Sequence, residues 1–162
     1  MATAPSSPSV SHRRGVTFAA LDEVLNDVCR LAPSHVTVGH WTLGQICRHL
    51  ADSLNGSIDG LDMRNHRWRR WFLRRAMLRH TLALGIPRGV TVDPKLTPPP
   101  NVNLRQAIED LERAVRRYTS FSGRLAGHPL FGRMLRPMWD RFHCLHCAHH
   151  LSFVWPANAA PP

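Results

Sequence analysis

A chain of 162 residues with 43% hydrophobic content can bury a core as one domain without disulfide or metal staples, which excludes a globally disordered protein. No apolar run approaches the roughly 20 residues of a membrane-spanning helix. The formal charge of +10, from 21 basic and 11 acidic residues, favours anionic partners: nucleic acid, a membrane surface or acidic small molecules.

Residues 1–13, dominated by Ala, Ser and Pro, are predicted to form a disordered tail. Arg13-Arg14 is not followed by the apolar stretch of an export signal. Instead Asp22, Glu23, Asn26 and Asp27 interrupt the chain at helical spacing, and the cytoplasm is the expected location. A single all-α domain is expected over residues 14–155, with a second disordered tail over 156–162.

The first helix is predicted to start after Thr17, with Val16 and Leu21 as its hydrophobic staple. It runs through Leu21, Leu25, Val28 and Cys29 to near Ala32, before Pro33. The second runs from Leu43 to about Ile58 and is closed by Gly60. Thr42 and Gln45 form a capping box at its start, with Trp41 and Ile46 at the staple positions. Its core stripe reads Leu43, Ile46, Leu50, Leu54 and Ile58, which puts His49 at the stripe's edge beside Ser53. There it either reaches a cleft or lies half-exposed.

An additional amphipathic helix is predicted in the segment 64–80, which carries seven arginines among Trp68, Trp71, Phe72, Met77 and Leu78. Its arginines could face phosphate on nucleic acid or anionic lipid. The favoured reading is simpler: the aromatics pack on the domain and the arginines form a solvated face. The stretch from Gly85 to Asn101 holds five prolines and is read as a long irregular connection of the kind that frames sites. The third bundle helix is predicted to start after Asn103, capped by it with Gln106, and to end near Gly123. Leu104, Ala107, Ile108, Leu111 and Val115 form its apolar face. His128-Pro129-Leu130-Phe131-Gly132 is a loop whose Phe131 packs over the bundle. The fourth helix begins around Pro137, suited to a first turn, and is predicted to end near Pro156.

That last helix carries the densest chemistry. His143, His146 and His150 share one face, in line with Trp139 and Val154. Each imidazole has two nitrogens to satisfy when buried, and the i, i+4 pair His146/His150 has the spacing of a helical metal pair. The competing reading is of surface or satisfied core histidines in a chain that has eleven of them. His143 is the reserve ligand, whereas His149 points about 100° away from His150 and is expected to be a neighbour only. Cys144 and Cys147 form a CxxC inside a helix with no second CxxC, so Cys29, Cys47, Cys144 and Cys147 are read as buried, reduced thiols. Cys147 lies near enough to the histidine face to be a conceivable fourth ligand.

A helix opening with tryptophan, a hydroxyl cap and a histidine seven or eight residues later, then a last helix with HxxxHH, resembles the DinB-like superfamily of metal-binding helical bundles. Phe18 to Glu23, Trp41 to Gln45, Asn55 to Gly60, His128 to Gly132, Trp139-Asp140 and His146 to Leu151 resemble more closely its domain-of-unknown-function 1569 branch. The similarity covers about residues 14–154, and the ordered set is far more specific than any one motif. The resemblance implies a four-helix bundle holding one divalent transition metal, Zn, Ni or Fe, on His49, His146 and His150. One departure is that Leu151-Ser152-Phe153 follows the histidine pair, where many DinB-like proteins have Arg or Gly and then Gln.

Three imidazoles hold a first-row metal and leave positions for water or substrate, so an oxygen can be polarised or a thiolate stabilised. The resemblance implies a metal-dependent thiol S-transferase or isomerase with a small-molecule thiol as substrate. Catalytic residues are not assigned by it. The alternative is a basic protein that binds nucleic acid or an anionic membrane surface, with a structural or vestigial metal site; a homodimer is compatible with either. No Gly-rich phosphate cradle, nucleophile elbow or HExxH is present. Asp52 and Asp59, on the His49 helix, are the nearest acidic candidates for supporting a ligand or moving a proton.

Overall fold

The computed structural model describes residues 13–61, 71–86 and 96–159, with residues 71–74 described by backbone alone. The predicted N-terminal tail, most of the arginine-rich segment before Trp71 and most of the proline-rich connection lie outside these residues. The order is α1 (Leu21–Leu31), β1 (His35–Thr37), α2 (Leu43–Asp59), α3 (Trp71–Leu84), α4 (Leu104–Ser120), α5 (Arg136–Leu151), β2 (Val154–Pro156) and a 3-10 turn, Ala157–Ala159. The fold is therefore helical, and α1, α2, α4 and α5 form the bundle, with α2 packed most extensively on α4 and α3 resting on α5. None of the described helices is long and apolar enough to cross a membrane.

The α2–α4 contact is close because small residues lie in it. A Cβ on Gly44 would come within 3.1 Å of the Val102 carbonyl oxygen, so glycine lets the two helix starts approach. Ala51, Leu54, Ala107, Leu111, Ala114 and Val115 fill the seam and are all buried. Tyr118 extends it, donating its hydroxyl to Asp140 Oδ1 of α5 at 2.7 Å. Gly60 closes α2 at a φ of 88°, a conformation glycine adopts without penalty.

Several boundaries differ from expectation. α1 begins at Leu21 rather than after Thr17; no side chain caps it, and Glu23 instead accepts from the Ala19 amide at 2.7 Å. Its buried face is Leu21, Val24, Asp27, Val28 and Leu31, which turns Cys29 out to solvent. Asp27 is buried because Arg14 grips it with its guanidinium, while the same side chain donates to the Val154 carbonyl at 2.9 Å. That clamp ties α1 to the end of the chain.

α5 stops at Leu151 instead of continuing to Pro156. Beyond it Val154 to Pro156 pair antiparallel with His35 to Thr37, Val36 opposite Trp155. β-branched Val and aromatic Trp suit a strand, and Pro sits at its end where the lost donor is harmless. The expected tail over 156–162 thus begins with residues that have regular structure: Pro156 pairs with His35, and the Ala157 amide donates to the Ser34 carbonyl at 3.2 Å.

Candidate metal centre

Thr42 starts α2 with a full capping box. Its hydroxyl accepts from the Gln45 amide at 3.2 Å, and its own amide donates to Gln45 Oε1 at 3.0 Å. With the start pinned, His49 falls nearly two turns in and is 3% exposed, buried rather than half-exposed. On α5, His146 and His150 are one turn apart and point toward α2. His49 Nε2 and His146 Nε2 are 3.2 Å apart, and His150 Nε2 and His146 Nε2 are 3.1 Å apart. One ring nitrogen from each of the three lies within 4.8 Å of the others.

The ring orientations follow from contacts on the far nitrogens. His49 Nδ1 donates to the Leu96 carbonyl at 3.0 Å, so its proton sits there and Nε2 presents a lone pair inward. His146 Nδ1 is 3.3 Å from Ser53 Oγ, which lies one turn after His49 on the same face of α2. Aromatic rings wall the cluster. Trp41 stacks on His150 at 5.4 Å between ring centroids and tilts against His49 at 5.0 Å; Phe142 stacks on His146 at 5.5 Å.

Burial pushes the pKa of all three histidines down, most strongly at His146 and His150, where each also feels its histidine neighbours. At His49 the Leu96 hydrogen bond partly opposes that fall. The rings are therefore neutral at pH 7. Three neutral nitrogens facing one another cannot all be satisfied by the protons they share. Two nitrogens bound tetrahedrally at ~2.0–2.1 Å to one zinc would be about 3.3 Å apart. The 3.1 and 3.2 Å separations of His146 Nε2 from its two neighbours match that spacing, and the third pair lies within 4.8 Å.

The other candidates lie elsewhere. His143, the reserve ligand, is 1% exposed but faces the α4 side, stacked on Trp139 at 5.2 Å and edge-on to Tyr118 at 4.8 Å. Its Nε2 is buried and has no hydrogen-bond partner among the described residues. Burial, with the nearby His128 adding, lowers its pKa to about 3. Cys147 is buried in the core cluster rather than joined to the three nitrogens, and burial pushes its thiol pKa well up. Burial likewise pushes Cys47 up to about 12, so neither thiol ionises readily. His149 sits beside His150 and Phe153, outside the group. Asp52 pairs with Arg48 at 3.0 Å and Asp59 with Arg117, so neither carboxylate supports a ligand by hydrogen bonding.

Sequence reasoning missed the Leu96 carbonyl, since a backbone acceptor leaves no side-chain signature. Ser53 was legible as the neighbour of His49 but not as the partner of His146, which is 93 residues away. The walls formed by Trp41 and Phe142 were also missed; i, i+4 spacing from Phe142 to His146 was the available signal.

Fold and site together define a helical bundle in which two helices bring three neutral histidines to one point. The chain belongs to the family described as protein of unknown function, DUF1569, whose model matches residues 10–157. No curated protein and no solved structure matches it.

Proposed function

We propose that this protein binds one divalent transition metal through the Nε2 atoms of His49, His146 and His150, and acts on a small-molecule ligand at the remaining positions. The convergence of those three nitrogens carries the reading. A metal so held supplies Lewis acidity, polarising an oxygen or stabilising a thiolate.

The chain's own residues divide the rest of the work. Leu96 and Ser53 hold two of the imidazoles by their Nδ1 atoms, presenting Nε2 to the centre. Trp41 and Phe142 exclude water and offer apolar surface to a ligand. By the resemblance to DinB-like proteins, that ligand is a low-molecular-weight thiol and the reaction an S-transfer or isomerisation. Zinc, nickel and iron all suit three imidazoles. Buried cysteines that are unpaired fit a reducing, cytoplasmic setting.

The test is elemental analysis of protein purified without a histidine tag, alongside His146→Ala and His150→Ala. About one metal per wild-type chain, lost in both variants, supports the proposal. A wild-type chain that takes up no zinc, nickel, iron or cobalt overturns it. A loaded chain in which cobalt absorption is unmoved by added thiols would retain the metal and sink the thiol reading.

A further inference from the structure

The net charge of this chain is concentrated. Residues 63–92 contain eight arginines and no aspartate or glutamate, so nearly all of the +10 belongs to this one stretch. α3 lies within it. The helix packs on the domain through Leu78, Thr81 and Leu82, and Arg141 of α5 donates to the Leu82 carbonyl at 2.7 Å. Those contacts settle which way α3 faces. Leu78 is buried as expected, but Met77 is 43% exposed and Leu84 is 75% exposed, so the helix does not bury all its apolar residues.

The outward face is divided lengthwise. Arg75 and Arg79, four residues apart and exposed, lie on one flank; Met77 and Leu84, seven apart, lie on the other, with exposed His80 between. We propose that this face docks the protein on an anionic membrane surface, the arginines on lipid phosphates and the apolar flank in the acyl boundary. A membrane interface offers both environments side by side. A nucleic acid would reward the arginines but leave Leu84 and Met77 in water, and among the described side chains of the face His80 alone offers a ring for bases to stack on. A second copy of the chain would set like charges against each other. The stretches on either side of α3 carry five arginines and Lys95 against Asp62 and Asp93, a net positive charge that reinforces attraction to an anionic surface. This proposal is independent of the metal centre.

The experiment is co-sedimentation of the full chain with phosphatidylcholine vesicles and with vesicles of equal parts phosphatidylcholine and phosphatidylserine. Matched titrations with duplex DNA and single-stranded RNA run at the same salt. Binding is expected on the anionic vesicles only, and it should fall away between about 0.1 and 0.5 M NaCl. Removing each guanidinium should weaken it about fivefold, so Arg75→Ala with Arg79→Ala costs about twenty-five-fold. Met77→Ser with Leu84→Ser, which changes no charge, should weaken it severalfold, and circular dichroism confirms that both double variants fold. Equal binding to neutral vesicles, no binding to either, wild-type affinity in the folded arginine variant, or tighter binding to nucleic acid would each overturn the proposal.

Discussion

Ser53 is a small residue with a disproportionate task. For His146 to offer Nε2, its proton must sit on Nδ1, where Ser53 Oγ at 3.3 Å can accept it. Ser53→Ala should weaken zinc binding about tenfold, the lower end of what supporting contacts contribute. Ser53→Thr, which keeps the hydroxyl, should restore most of it. Competition against a chromophoric chelator measures both, and an unchanged affinity in Ser53→Ala would show that the hydroxyl has no such role. His143 makes the opposite case. Its ring is clasped by Trp139 and Tyr118, yet among the described residues its Nε2 has no partner. A buried polar atom left unpaired costs ~1–3 kcal/mol, so His143→Phe should leave stability unchanged or raise it by about 1 kcal/mol. Metal stoichiometry should stay at the wild-type value. Loss of metal in a folded His143→Phe protein would return this residue to the ligand set.

At the scale of elements, the start of α2 matters most for the site. Gln45 closes the capping box and also donates through Nε2 to the Pro99 carbonyl at 3.1 Å, so one side chain anchors both the helix and the connection that brings Leu96 to His49. Thr42→Ala should cost about 1 kcal/mol and lower the melting temperature by roughly 2–4 °C. A melting curve that superimposes on wild type would mean that the box is redundant. This helix was legible in the sequence because its signals are local: tryptophan, threonine and glutamine at fixed offsets before an apolar stripe. The pair His146/His150 was legible for the same reason, as a spacing within one helix. Its union with His49 came from the family resemblance, because no local pattern joins residues 97 apart. What escaped was non-local or weakly patterned. The β1–β2 pair consists of two three-residue strands at opposite ends of the domain, too short for any periodicity to show. The start of α1 was misplaced because a threonine and two apolar residues mimicked a cap, while Glu23 supplies the actual contact from inside the helix. Cys29 was misread with it: the true stripe runs through Val24 and Asp27, and the ion pairs from Arg14 and Arg30 make a buried aspartate tolerable there.

For the whole molecule, pH and metal act on the same histidines and can be separated. Burial lowers the pKa of His128 to about 4 and of His143 to about 3, and lowers His49, His146 and His150 as well. Each of these groups takes up a proton near pH 6.5 when the chain is unfolded but remains neutral in the fold to lower pH. The unfolded state therefore binds more protons between those values, and stability is complete above about pH 6.5 and declines as pH falls toward 3–4. That decline needs no metal, so it should persist in chelator-treated protein. Metal adds a second contribution, since a ligand bound only by the fold at a hundred times its Kd contributes ~2.7 kcal/mol. For a domain of this size that corresponds to a rise in Tm of roughly 5–10 °C at about pH 7.5. Protons compete for the same three lone pairs, but burial holds those nitrogens neutral to below pH 6.5, so the increment should persist past pH 6.5 and shrink only as pH falls further. Thermal melts of zinc-loaded and chelated protein across this range give two curves that converge on the acid side. Curves that coincide at pH 7.5, from protein shown to carry zinc, would mean that the metal contributes nothing to the fold. A chelated protein whose melting temperature stayed flat from pH 7 to pH 4 would contradict the neutral, buried state of His128 and His143 from which the acid sensitivity is derived.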